Sequence, residues 1–133
     1  MSEERAEVIR SIYERWNRNP VDFALDLFDP AVEIRQIGAI LDTAGTFHGH
    51  EGLLRSAAEL LDAFESIEWV ADRWTEEGEW LVIWVRAIGV GRSSGVETEA
   101  HFAHAWRVRG GRVTDLRVYE SEMKALEAAG LRE

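Results

Sequence analysis

The C-terminal half of the chain alternates apolar and polar residues in three runs joined by two short segments. Runs over 80–91, 96–109 and 112–120 are rich in β-branched and aromatic residues, which favours strands. Gly110-Gly111 predicts a two-residue hairpin loop, because both central positions need a positive φ. The intervening RSSG segment predicts a second turn centred on Ser93-Ser94. The pattern therefore predicts an antiparallel three-stranded meander whose register follows from its turns.

These turns predict which side chains share a face of the sheet, because residues directly opposite each other point the same way. Arg86 falls opposite His101, and His101 falls opposite Glu120. One predicted face carries Trp80, Val82, Trp84, Arg86, Ile88, Glu99, His101, Ala103, Ala105, Leu116, Val118 and Glu120. The other carries Leu81, Ile83, Val85, Phe102, His104, Trp106, Asp115, Arg117 and Tyr119. A slip of one residue would exchange the faces of a strand.

Both predicted faces are rich in apolar residues, so each needs a cover. Helices of the same chain can cover one face, and a second copy of the sheet is the natural cover for the other. We therefore predict a homodimer through an outer face formed by Phe102, His104, Trp106, Arg117 and Tyr119. If inside and outside are reversed, this polar and aromatic set lines the pocket instead.

The rest of the chain alternates between helical and strand periodicity. Apolar residues at helical spacing predict a first helix that buries Val8, Ile9, Ile12, Tyr13 and Trp16. The further predicted elements are a short helix over 21–28, a strand over 32–37, a helix from His50, a strand over 67–75 and a last helix over 122–129. This order indicates one α+β domain over residues 1–133.

Composition narrows the classes of partner. The net charge of −10 argues against nucleic acid and anionic membranes. The chain has no cysteine, which excludes disulfides, a thiolate nucleophile and cysteine-ligated metal sites. The longest apolar run, 80–85, is too short to span a bilayer, and the charged N-terminus lacks an apolar signal core. We expect a cytoplasmic location.

The strongest candidate for chemistry is the predicted row Arg86–His101–Glu120. Cross-strand neighbours have Cβ atoms roughly 5 Å apart, so the three side chains can touch. Glu120 would orient the His101 ring and raise its pKa, while Arg86 would stabilise an oxyanion. The alternative is a solvated cluster of ion pairs at the open end of the sheet. The predicted ligand wall consists of Trp84, Trp69, Phe47, Val118 and Leu116.

Two further histidines flank Gly49 ahead of the predicted helix. An H-x-H segment in extended chain can place both rings on one side, as a metal would need. The sequence shows no third ligand for His48 and His50, so we expect no metal. His50 is better explained as a helix N-cap.

Three segments carry a family resemblance: FHGHEG over 47–52, FAHAWRVRGGRV over 102–113 and RVYESEMKALEAAGL over 117–131. Together they resemble the SnoaL-like branch of the nuclear transport factor two-like superfamily. The resemblance implies an α+β cone, in which a curved antiparallel sheet wraps around N-terminal helices and encloses a central pocket. It also implies homodimers through the outer sheet face. Polyketide cyclases, ketosteroid isomerases, limonene epoxide hydrolases, scytalone dehydratases and non-catalytic binding domains share this fold.

The resemblance implies a cofactor-independent acid–base enzyme acting on a small apolar or cyclic molecule, as an isomerase, cyclase, dehydratase or hydrolase. Arg86 looks like the pocket arginine of the epoxide hydrolases. However, Ile88 and Val118 stand where their carboxylates would be, and 103–105 lacks the isomerase acid. A non-catalytic ligand-binding, sensing or dimerisation domain is therefore the alternative.

Overall fold

The computed structural model describes residues 3–37 and 45–119. In chain order, the elements are α1 (Glu3–Arg18), a 3₁₀ turn (Leu25–Leu27), β1 (Phe28–Ile37), β2 (Gly45–His48), α2 (Gly49–Ala63), β3 (Phe64–Glu77), β4 (Trp80–Gly91), β5 (Glu97–Arg109) and β6 (Arg112–Tyr119). The predicted last helix over 122–129 lies outside the described residues. In the part of the chain that is described, no helix has the length and apolar character needed to cross a membrane.

The strands form one open six-stranded sheet in the order β2-β1-β6-β5-β4-β3. Neighbouring strands run antiparallel, with the exception of β1 and β6, which pair in parallel. The predicted α+β class is therefore confirmed, and the parallel pair makes the sheet mixed. This pair places β1 one strand in from the β2 edge, beside the last strand of the predicted meander.

The prediction of a helix over 21–28 is wrong, because only the 3₁₀ turn forms there. Asp22 accepts a hydrogen bond from the Ala24 backbone N–H (3.1 Å), and Ala24 adopts a left-handed conformation with φ 56°. A left-handed residue of this kind interrupts an α-helix. Phe28, almost fully buried, is already the first residue of β1, so this strand begins four residues before the predicted strand at 32–37.

The two hairpin turns form where they were predicted. Gly110 and Gly111 both have positive φ, and Arg109 lies opposite Arg112. Arg86 lies opposite His101, as the turn at Ser93-Ser94 predicts.

A β-bulge at Thr114 changes the register of the last strand. Arg107 pairs with Asp115 while Val108 pairs with Val113, which leaves Thr114 as the extra residue. The Thr114 hydroxyl lies 2.8 Å from Asp115 Oδ1, and Asp115 accepts from Arg107 Nε at 2.9 Å. Beyond the bulge, Ala103 pairs with Tyr119 and His104 with Val118, so the prediction that Ala103 and Val118 share a face is wrong.

The bulge changes which side chains of β6 share a face with those of β5. His104 pairs with Val118 and Trp106 with Leu116, and these residues face α1 and the main core. The opposite face carries a smaller group, here called the outer cluster: Val82, Ala103, Ala105 and Tyr119, with Trp80 and Trp84 packed against it. The row of β4 and β5 that was predicted to face the pocket therefore lies outside.

The main core is built between α1 and the inner face of the sheet. Ile9 and Ile12 of α1 are fully buried against the inner side chains of β4 and β5. Trp106 is the largest fully buried side chain of the described residues, and its ring lies near those of Tyr13, Trp16 and Phe28. This aromatic group supports one side of a cavity.

Candidate ligand cavity

A cavity of about 140 Å³ lies between the inner face of the sheet and the two helices. Its walls are mainly apolar side chains from α1, α2, β1, β3, β5 and β6. An apolar cavity of about 150 Å³ holds one benzene molecule. The space therefore suits a single small ring.

His104 is the buried titratable group of this wall. It is 3% exposed, and aromatic rings surround it: Tyr13 lies parallel to it with centroids 5.9 Å apart, and Trp69 lies 5.6 Å away. Burial lowers the pKa of His104 from 6.5 to about 3, so the ring is neutral at physiological pH.

Two hydrogen bonds connect His104 to the core. The Tyr13 hydroxyl lies 2.7 Å from His104 Nδ1, and Trp106 Nε1 donates to the Tyr13 oxygen at 3.1 Å. Burial raises the pKa of Tyr13 well above its ordinary value, so its hydroxyl keeps its proton. Because Nδ1 is occupied, Nε2 is the ring nitrogen left for a molecule in the cavity.

Besides His104, the polar residues of the described cavity wall are Gln36, Ser56 and Glu59. The Ser56 hydroxyl already donates to the Leu53 carbonyl at 3.0 Å. Glu59, half-buried on α2, forms no ion pair or hydrogen bond within the described residues. Glu59 and His104 are thus the two titratable groups of the described cavity wall.

The predicted catalytic row does not meet in this cavity. The His101 side chain is 70% exposed on the outer face, with Nε2 3.0 Å from Glu99 Oε2. Arg86 donates twice to Asp72, at 2.7 and 3.1 Å, and these bonds lower the pKa of Asp72. Glu120 lies outside the described residues. The prediction that His101 and Arg86 face the pocket is wrong, because the alternate residues of the same strands, such as Ile83 and His104, face the helices.

The predicted ligand wall is divided between inside and outside. Trp69, Leu116 and Val118 line the cavity, whereas Trp84 belongs to the outer cluster. Phe47 packs against the main core beside α2 rather than among the lining residues.

The predicted dimer face is divided as well. Phe102, His104 and Trp106 are on the inner face, so their assignment to the outer face is wrong. Tyr119 belongs to the outer cluster, and Arg117 stacks on Trp80 of that cluster with its guanidinium 4.6 Å from the ring centroid.

The histidines ahead of α2 have a structural explanation. His48 is the N-cap residue of α2 and makes no side-chain capping bond. His50 Nε2 lies 2.9 Å from the Phe28 carbonyl, to which it donates. The prediction of His50 as the N-cap is therefore wrong, and its ring instead ties the start of α2 to β1.

The fold agrees with the comparisons to known proteins. The model of the SnoaL-like domain matches residues 9–116. The chain belongs to the SnoaL-like domain family. No curated protein matches the chain.

Solved structures with this SnoaL-like architecture cover nearly the whole chain. An NTF2-like protein of unknown function from Burkholderia pseudomallei superposes with a TM-score of 0.78 at 20% identity, over 96% of this chain and 97% of that one. TerC, co-crystallised with polyporic acid, superposes with a TM-score of 0.78 at 18% identity, over 96% of this chain and 99% of that one. A protein with a ketosteroid isomerase-like fold from Catenulispora acidiphila, in complex with trimethylamine, superposes with a TM-score of 0.73 at 17% identity. The match covers 93% of this chain and 92% of that one. At these identities the likeness concerns the fold.

Proposed function

We propose that this SnoaL-like domain binds a small, largely apolar ring molecule in the inner cavity. The observation that carries the proposal is the buried His104 in a mainly apolar wall of single-ring size. Such a site combines apolar burial with one polar group that orients the ligand. Structures of similar fold that hold polyporic acid and trimethylamine support the proposal, because they show that this architecture accommodates small organic molecules.

Toluene is a suitable first probe of the cavity. We expect saturable binding of toluene to the wild-type protein, measured by calorimetric titration. The Val118→Phe substitution places a ring inside the cavity and should abolish binding, because Val118 lines it. Val96→Phe, the same change at a 57% exposed position, should leave binding intact. Toluene binding that survives Val118→Phe, or that is absent from the wild type, would contradict the proposal.

Glu59 favours acid–base turnover as a second candidate function. In this mechanism the Glu59 carboxylate takes a proton from the carbon beside a ligand carbonyl. The electron pair of that C–H bond moves into an enolate, whose oxygen accepts a hydrogen bond from neutral His104. Return of a proton from Glu59 to the same or another carbon restores a ketone. Neutral His104 suits the role of hydrogen-bond donor, because its low pKa makes it a poor base.

One NMR experiment distinguishes the two candidate functions. Cyclopentanone in D₂O exchanges its α-protons for deuterium when a base acts on the bound ketone. Faster exchange with wild type than with Glu59→Gln would support turnover. Glu51→Gln, the same change at an exposed position of α2, is the matched control. Binding without faster exchange would leave a non-catalytic ligand-binding domain.

We also propose that the outer cluster is the interface of a homodimer. Two guanidiniums, of Arg107 and Arg117, lie 5.0 and 4.6 Å from the Trp80 ring centroid, and Arg73 lies 4.8 Å from that of Trp84. Tryptophan and arginine are enriched at the centres of protein interfaces. A second copy of the same face would bury this layer.

Sedimentation velocity tests the dimer directly. We expect a dimer for the wild type and a weaker one for Trp84→Ala, because this change removes a ring from the proposed interface. Trp74→Ala, on the side of the sheet that faces α1, should keep the dimer. A wild-type monomer at every concentration would rule the interface out.

A further inference from the structure

The hydrogen bonds around Tyr13 have a direction that the chemistry of the three side chains determines. An indole nitrogen can only donate, so the Tyr13 oxygen accepts from Trp106. Tyr13 then has one proton to donate, and within the described residues its other polar neighbour is His104 Nδ1, at 2.7 Å. The hydroxyl therefore donates to Nδ1.

This direction sets the tautomer of His104. A neutral imidazole carries one proton, so when Nδ1 accepts, the proton is on Nε2. The other tautomer would place a proton on Nδ1 and leave the buried Tyr13 hydroxyl proton without an acceptor. An unsatisfied buried donor disfavours that state by roughly tenfold to a hundredfold. Tyr13 is 5% exposed and Trp106 is 0% exposed, so water does not readily relieve this penalty.

We infer that the chain Trp106–Tyr13–His104 presents an N–H donor to the cavity and selects ring ligands that carry a carbonyl or similar acceptor oxygen. This inference rests on the proposed function for the existence of the ligand, and it adds the chemical class. A ligand that can only donate would need Nε2 as an acceptor, which requires the disfavoured tautomer. Tyr13 is thus a positioning residue that acts through His104, and Trp106 holds its hydroxyl in place without accepting its proton.

NMR of protein labelled with ¹⁵N-histidine reads the tautomer without any ligand. Two-bond correlations show which ring nitrogen carries the proton, and loss of a signal set in His104→Gln assigns His104. We expect the wild type to carry the proton on Nε2. In Tyr13→Phe both tautomers should be populated, because the group that fixes Nδ1 as the acceptor is gone. Tyr119→Phe, at the chain's other tyrosine and also buried, should leave the His104 tautomer unchanged. A wild-type proton on Nδ1 would overturn the inference.

Two five-membered ring probes test the specificity. Cyclopentanone can only accept a hydrogen bond, and pyrrole offers an N–H donor at similar size. We expect the ratio of the Kd for pyrrole to that for cyclopentanone to fall about tenfold or more in Tyr13→Phe and to stay unchanged in Tyr119→Phe. An unchanged ratio in Tyr13→Phe would overturn the role of Tyr13 in specificity.

The results also separate this inference from the proposed function. If neither toluene nor cyclopentanone binds the wild type, the proposed function and the ligand class fail together. If both bind while the wild-type spectrum shows the proton on Nδ1, the hydrogen-bond chain is wrong and the proposed function stands.

Discussion

Replacing Trp106 with alanine should lower the free energy of unfolding by about 3–5 kcal/mol, as large aromatic-to-alanine changes in a closed core do. Trp106 has no exposed surface, and its ring lies within 6.2 Å (centroid to centroid) of those of Tyr13, Trp16, Phe28 and His104. The change removes this packing and leaves a void that the sheet cannot close. Because domains of this size are stable by roughly 5–15 kcal/mol, a large share of the stability should disappear.

Urea denaturation followed by circular dichroism measures this loss. Trp74→Ala is the matched control, because Trp74 is only partly buried and one side of its ring faces Arg10, 5.4 Å from the centroid. We expect the free energy of unfolding of Trp74→Ala to fall by less than about 2 kcal/mol. Equal losses in the two variants would show that Trp106 is not the centre of the core.

Acidification should destabilise the protein through His104 before most carboxylates titrate. The pKa of His104 is 6.5 when unfolded and about 3 when folded, so between these values the unfolded chain binds more protons. The stability due to neutral His104 is therefore complete above pH 6.5 and is lost as the pH falls towards 3. The limiting slope is about 1.4 kcal/mol per pH unit, which amounts to roughly 4–5 kcal/mol over the whole interval.

The groups packed around His104 do not cancel this effect. Tyr13 faces it from α1 and keeps its proton, since burial raises its pKa, while Trp69, Phe102 and Trp106 carry no titratable group. Measurements between pH 6.5 and 5 isolate the histidine, because the ordinary range of carboxylate pKa values lies lower.

The variant His104→Gln separates the contribution of this ring from that of other groups. Glutamine cannot titrate, so we expect unfolding stability that is nearly flat between pH 6.5 and 5. His101→Gln, at the largely exposed histidine, should keep the wild-type slope. A wild-type protein without a slope in this interval would mean that His104 is not buried in neutral form.

The sequence predicts the strands and turns of the meander because their determinants are local. Gly110 and Gly111 supply the positive φ values of the turn, and the alternation of apolar and polar residues predicts the strands on either side. The pairing of Arg86 with His101 follows directly. The parallel pairing of β1 with β6 has no comparable local signal, because no turn joins these strands.

The faces of the last strand could not be assigned from turns alone. Thr114 is an ordinary strand residue in sequence, and its bulge depends on a hydroxyl contact and on the Arg107–Asp115 ion pair, which form only in the assembled sheet. The sequence does contain one signal for the inner face: Phe102 and Trp106 fill more volume than Ala103 and Ala105. Large side chains on one face and alanines on the other indicate which face packs against a helix. That comparison places His104 inside and His101 outside.

Trp16 and Trp69 should make the intrinsic fluorescence of the protein sensitive to a molecule in the cavity. Both indoles line the cavity, with ring centroids 5.7 Å apart, so a molecule that enters meets two of the six tryptophans of the chain. Their emission depends on local polarity and on water contact, whereas Trp80 and Trp84 on the far face are insulated from the occupant by the thickness of the sheet. Intrinsic fluorescence thus registers occupancy without any added label, and collections of unmodified small molecules can be screened against the native protein.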